Sequence, residues 1–411
     1  MKRRLLAGAL VVASVALLAT PAHADGVRDA EYWLDSYGIR AAWNTTRGAG
    51  VTIAVIDTGV DGSVPELQGA VISGADFSGL GSPDGQTPVG PSDESDHGTM
   101  VASLAAGRGT GADNGVIGAA PDATILPISI GFGEGSTSSD DQIAAAVRYA
   151  TDAGADIINM SLTRNTLEWP TSWDDAFLYA MEHDVIIVAA AGNRGSGTTQ
   201  VGAPATMPGV LTVAGVDSNG QASFDASAQG ITIGVAAPSE DLVGVTPGGG
   251  HVLWNGTSGA TPIVAGIVAL VRAAHPDLDA ANVINRIVST ARDSGTPGTD
   301  AIYGFGLVDA SAAVNASVPR VTENPMGSLA EWIKVYRRAA ATPSPVPTST
   351  GTPAPEPIAA GPANPLGTVL PTVNLLRNVG IPFGVFVLFA GAIALLVVRA
   401  VRAVKASRRT G

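Results

Sequence analysis

The sequence predicts an α/β domain, a three-layer αβα sandwich on a mostly parallel central sheet, and three observations carry that expectation. Short apolar, β-rich runs recur at 51–57 (VTIAVID), 124–130, 157–160 and 185–190. Segments of helical length near 99–106, 140–153 and 172–183 separate them, and such alternation implies βαβ crossovers and a sheet covered on both faces. Roughly 300 residues precede a Pro-rich stretch, long enough to bury a substantial core. The chain has no cysteine, so neither disulfides nor thiol chemistry contribute.

In chain order, residues 1–24 read as a signal peptide: Lys2, Arg3 and Arg4, then an apolar run over 5–19, then Ala22-His23-Ala24 as a small-x-small cleavage site. Residues 25–50 are polar with aromatic anchors Tyr32, Trp33, Tyr37 and Trp43. They are too short for a folded inhibitory pro-domain and are expected to strap onto the main domain, 51–317. Strands at 210–217 and 231–236 extend the sheet. A long apolar helix follows from 255–270, NGTSGATPIVAGIVAL, toward His275, and another helix spans 279–291. Thr257 is a residue type suited to capping the long helix, and Pro262 is tolerable there if it falls in the first turn.

Charge is unevenly placed. The total is −13, and the eight cations at 2–4 and 399–409 have no anions among them, which leaves −21 between residues 5 and 398. An acidic body argues against nucleic-acid binding.

Open parallel sheets gather their sites at the C-terminal ends of the strands. Asp57 ends the first strand and Asn193 follows the run at 185–190. Past the leader there are four histidines. His97 starts a helix, with Gly98 beside it to admit another backbone. His183 and His275 stand at helix ends, where the dipole favours them. His251 follows three glycines and, being near Ser258 in sequence, is a competitor for the role of base. Ser258 sits at a helix N-terminus, where free N–H groups can meet a developing oxyanion. A serine that attacks a carbonyl needs an imidazole to take its proton and a buried carboxylate to orient that imidazole. Asp57, His97 and Ser258 fit those roles, and the Asn193 amide can donate to the oxyanion. Singly, each residue has an ordinary structural reading. Together and in this order they point to acyl transfer.

With VIDTGVD at 55–61, HGTMVA at 97–102, NMSL at 159–162, AAAGN at 189–193 and GTSGATP at 256–262, the chain resembles the subtilase family of serine endopeptidases over about residues 30–317. The resemblance implies a subtilisin-like fold, proteolysis of protein or peptide substrates, Asp57, His97 and Ser258 as triad, and Asn193 as oxyanion donor. It implies that Ser161, Leu162 and Thr163 form the edge that pairs with an extended substrate. Ala190, Ala191 and Gly192 would line the pocket for the residue before the scissile bond. No cofactor is required. Calcium sites are common in the family, but Asp113-Asn114 and Asp140-Asp141 read as turn and helix-start residues and support none. Three residues depart from the family pattern: Gly259 replaces a methionine, Ile263 a histidine, and Thr163 a glycine, the last bearing on pocket shape.

In 318–341, Leu329, Trp332, Ile333 and Tyr336 fall at helical spacing, and packing against the catalytic domain is the default expectation over docking a membrane partner. Residues 342–371 are a Pro-rich linker that in polyproline geometry reaches roughly 90 Å. Arg377 and Arg399 bracket 21 uncharged residues, of which 379–398 are expected to form a transmembrane helix. The basic tail 399–411 then lies in the cytoplasm and the catalytic domain outside. This layout resembles the mycosins, membrane-anchored subtilases of actinobacterial type VII secretion, although the cysteine pairs common there are missing. That kinship implies secretion-apparatus partners. A scaffold whose domain stabilises a secretion complex is the alternative to proteolysis, and the intact set of four catalytic parts favours proteolysis.

Overall fold

The computed structural model describes residues 26–337, apart from 92–93, 134 and 136. The leader, linker, transmembrane segment and basic tail expected from the sequence lie outside the described residues.

Seven parallel strands form the central sheet. They are β1 (Thr52–Asp57), β2 (Ala75–Asp76), β3 (Thr124–Ser129), β4 (Ile157–Met160), β5 (Ile186–Ala190), β6 (Leu211–Val216) and β7 (Ile233–Pro238), in the order β2-β3-β1-β4-β5-β6-β7. β1 pairs with β3 from Thr52↔Thr124 to Asp57↔Ser129 and with β4 on its other side. Every residue of β1 after Thr52 is buried, as an unbroken apolar run requires when helices cover both faces. The connections leave β1 toward β3 and β4 toward β5, so the direction of winding reverses between β1 and β4. A crevice opens at their C-terminal ends.

Helices α4 (His97–Ala106) and α7 (Thr257–Ala274) cover one face, and α5 (Ser139–Asp152) and α6 (Thr171–Glu182) the other. The α/β sandwich expected from the sequence is the observed architecture. Ser138 caps α5 by accepting from the Asp141 N–H, and Asp140 and Asp141 sit in its first turn as expected. α8 (Ala280–Ser289) and α9 (Ala310–Asn315) pack against α7, each capped by an aspartate. α7 is long and apolar enough to cross a membrane, but 78% of it is buried inside the domain, which marks it as the core helix.

Two expectations about α7 are corrected. Its N-cap is Gly256, whose φ of 147° suits glycine, and Thr257 is already helical. Pro262 is the sixth helical residue and lies beyond the first turn. Proline has no N–H, so the Ser258 carbonyl lacks its intrahelical donor. The Ser161 hydroxyl donates to it instead, at 2.8 Å.

Residues 26–50 hold three short helices, α1 (Val27–Ala30), α2 (Trp33–Ser36) and α3 (Ile39–Ala42). Trp33 and Leu34 are fully buried, while Tyr32 and Trp43 are only partly so. Arg28 donates to the Asn114 and Gly115 carbonyls and Glu31 accepts from the Ile117 N–H. These contacts fasten the segment to the loop at 114–117.

An antiparallel hairpin, β8 (Leu242–Val245) with β9 (His251–Trp254), was not expected from the sequence, nor was the two-residue strand β2. α10 (Leu329–Tyr336) packs on α6 through buried Leu329, and the Trp332 ring lies tilted at 42° against Trp169, centroids 4.4 Å apart. Arg337 pairs with Asp174 at 2.8 Å. Tyr336, expected on the packed side, is exposed.

Candidate active site

Asp57 is the last residue of β1 and has no solvent exposure. A buried carboxylate must be hydrogen-bonded. The Thr58 N–H donates to its Oδ1 at 2.8 Å, and His97 Nδ1 lies 2.8 Å from Oδ1 and 3.0 Å from Oδ2.

Three contacts set His97 over that carboxylate. The Gly98 N–H donates to Thr58 Oγ1 at 3.0 Å, the Thr58 hydroxyl donates to the Ser95 carbonyl, and the Asp61 N–H donates to Thr99 Oγ1. A Cβ on Gly98 would stand 2.1 Å from the Gly59 carbonyl oxygen, so only glycine lets α4 start this close to the turn after β1. Trp254 of β9 meets the imidazole edge-on, ring centroids 5.7 Å apart. Burial opposes the imidazolium, but the charge and hydrogen bond of Asp57 prevail and hold its pKa above the usual 6.5.

Ser258 is the second residue of α7, where a backbone N–H has no intrahelical acceptor. Its hydroxyl donates to the Ser161 carbonyl at 3.1 Å, and among the described residues no hydrogen bond joins it to His97. Asn159 Nδ2 donates to Ser161 Oγ at 3.0 Å. The Ser258 side chain therefore rests on the end of β4.

Asn193 follows β5 by three residues. Its Oδ1 accepts from both the N–H and the hydroxyl of Thr257, each at 2.8 Å. Because Thr257 supplies a backbone donor, the amide orientation is fixed, and Nδ2 is turned toward Gly256, where a Cβ would stand 2.9 Å away. Thr257 Oγ1 also accepts from the Gly192 N–H at 3.1 Å. Thr257 thus orients Asn193, a part its reading as a helix cap had missed.

Ser161, Leu162 and Thr163 run on from β4, and the first two are buried. Among the described residues the backbone groups of Leu162 and Thr163 have no backbone partner, which leaves that edge able to take another strand. Ala190 ends β5, and Ala191 and Gly192 follow, buried and tied to Val213 and Ala228 by backbone hydrogen bonds.

The other histidines are engaged elsewhere. His251 Nε2 pairs with buried Glu66 at 2.7 Å, which gives the competitor of the sequence reading a partner of its own. His183 donates to the Tyr179 carbonyl. His275 is part-buried and donates to the Val314 carbonyl. Each of these two follows the last residue of its helix, as the dipole favours.

Since Asp57 is what raises the His97 pKa, the imidazolium contributes stability that is fully present below about pH 6.5 and is lost as pH rises through the higher folded value. Replacing the carboxylate by an amide leaves burial to govern, which favours the neutral ring. NMR titration is expected to put the His97 midpoint above 6.5 in the wild type and below it in Asp57→Asn. An unchanged or raised midpoint in the variant would contradict this balance.

The subtilase family profile matches residues 48–306. Fervidolysin from Fervidobacterium pennivorans is 34% identical over 70% of this chain, which spans only 44% of fervidolysin's length. Mycosin-1 from Mycolicibacterium smegmatis is 35% identical, with 70% of this chain and 73% of that protein aligned. The solved structure of MycP1 from the ESX-1 type VII secretion system superposes with a TM-score of 0.61 at 32% identity, covering 72% of this chain and 88% of the other. The chain belongs to the subtilase family.

Proposed function

We propose that this protein is a serine endopeptidase. The observation that carries the reading is the arrangement at the C-terminal edge of the sheet. A buried Asp57 holds His97 Nδ1, and Ser258 stands at a helix N-terminus beside an Asn193 whose Oδ1 is already occupied. In this mechanism the Ser258 hydroxyl leaves the Ser161 carbonyl and donates to His97 Nε2. The imidazole then accepts the proton as Oγ attacks the peptide carbonyl, and Asp57 stabilises the charge formed. Asn193 Nδ2 and the Ser258 N–H donate to the oxyanion. The imidazolium returns its proton to the leaving amine, and water completes hydrolysis of the acyl-enzyme. Substrate pairs in extended form with 161–163, and its residue before the scissile bond faces 190–192.

Residues 51–317 form the catalytic domain in this reading. The apolar stretch 379–398 anchors it in the membrane behind the linker, with 25 to about 376 outside and 399–411 in the cytoplasm. Similarity to mycosin-1 and to MycP1 of a type VII secretion system supports secretion-apparatus partners and favours, as a second reading, a role in stabilising such a complex.

A fluorophosphonate probe is expected to label the wild type and not Ser258→Ala. The Ser258→Ala and His97→Ala variants should lose roughly 10⁴ to 10⁶ in kcat, the range subtilisin sets for residues acting as a unit. Asn193→Ala should lose about 10² to 10³, the magnitude established for the subtilisin asparagine. Peptidase activity surviving in Ser258→Ala would refute the nucleophile, and a labelled wild type whose Ser258→Ala variant still supports secretion would favour the scaffold. A tag at Gly411 should be hidden from antibody on unbroken cells, and a reachable tag would overturn the orientation.

A further inference from the structure

The slot between 161–163 and 190–192 is the place the protease reading gives to the residue before the scissile bond, and a side chain already occupies it. Gly192 and Gly202 are two bare backbone positions on its walls, and Thr163 lies between them. A Cβ on Gly192 would stand 3.2 Å from Thr163 Cγ2 and 2.5 Å from Thr198 Cγ2. One on Gly202 would stand 2.5 Å from Thr163 Oγ1 and 1.7 Å from the Arg164 carbonyl oxygen. The methyl of Thr163 thus fills the Gly192 side and its hydroxyl the Gly202 side. Neither group is free to swing away. Thr163 Oγ1 donates to the Arg164 carbonyl at 3.1 Å, which fixes the rotamer, and the Arg164 N–H donates to the Ala203 carbonyl at 2.7 Å, which holds the segment against 202–203. Thr198 is pinned in turn by its hydroxyl, which donates to Asn165 Oδ1.

We infer that Thr163 closes this slot to all but small side chains, so that the protein cleaves after residues such as alanine or serine. The inference rests on the protease reading and adds the substrate class. A phenyl or isobutyl group has no volume to enter unless Thr163 leaves its rotamer or the 161–165 segment moves, and close-packed surroundings resist both. Even one methylene misfitted in a pocket changes reactivity tenfold or more, so an aromatic ring is discriminated strongly.

The test uses two peptidyl diphenyl phosphonates that differ only in carrying alanine or phenylalanine at the reacting position. Ser258 Oγ forms a bond to phosphorus as one phenoxide leaves, and the serine proton passes through His97 to that phenoxide, which departs as phenol. The second-order rate of inactivation needs no turnover. The alanine reagent is expected to inactivate the wild type at least about tenfold faster than the phenylalanine reagent. In Thr163→Gly the phenylalanine-to-alanine ratio should rise at least about tenfold, with Thr163→Ser, which keeps the hydroxyl and removes the methyl, in between. A phenylalanine reagent as fast as the alanine one, no inactivation by alanine, or a ratio that none of the substitutions moves would overturn the inference. Fluorophosphonate labelling separates the two claims. A labelled wild type without the alanine preference refutes the pocket alone, and an unlabelled one refutes the protease.

Discussion

A carboxylate without solvent exposure has to be paired, and that requirement at Asp57 organises the molecule. Left alone, such a group is disfavoured by several kcal/mol. Its partners come from two directions, the Thr58 N–H in the turn after β1 and His97 at the start of α4. Bringing a helix start that close to a strand end demands the Gly98–Gly59 approach and the Thr58 and Thr99 hydrogen bonds. The parallel sheet supplies the rest of the constraint. The reversal of winding between β1 and β4 leaves a crevice at the strand ends, where Asp57 and Ser161 sit.

A second constraint fixes the nucleophile's side of the crevice. Pro262 removes an N–H from the core helix, and the carbonyl left over is that of Ser258 itself. Ser161 fills the gap with its hydroxyl while its own carbonyl accepts from Ser258 Oγ. Those reciprocal contacts tie the start of α7 to the end of β4, and Thr257 ties it to Asn193 beyond β5. The helix N-terminus is thereby held to two neighbouring strand ends, the kind of preorganisation that oxyanion stabilisation requires.

The longer strands of the sheet were legible because they are buried apolar runs, and α5 and α8 because each opens on a residue that caps it, Ser138 and Asp279. Asp57, His97, Asn193 and Ser258 were legible because each stands at the end of such an element. What escaped depends on contacts made far along the chain. β2 has two residues and no pattern to detect, and β9 exposes three of its four residues, so neither carries a burial signal. Thr257 has the residue type of a cap, yet Gly256 takes that place and frees Thr257 to orient Asn193. Thr163 was visible as a departure from the family's glycine. Its consequence depends on Gly202, nearly forty residues away, folding back against it.

The central claim is that Ser258, His97 and Asn193 act on one reacting carbon. The most direct measurement is a crystal structure of the protein reacted with a peptide boronic acid ending in alanine, which forms a tetrahedral adduct. The account predicts boron bonded to Ser258 Oγ, one boron oxygen about 3 Å from both Asn193 Nδ2 and the Ser258 N–H, and His97 Nε2 on the opposite oxygen. An adduct on another residue, or one whose oxygens avoid Asn193, would contradict it.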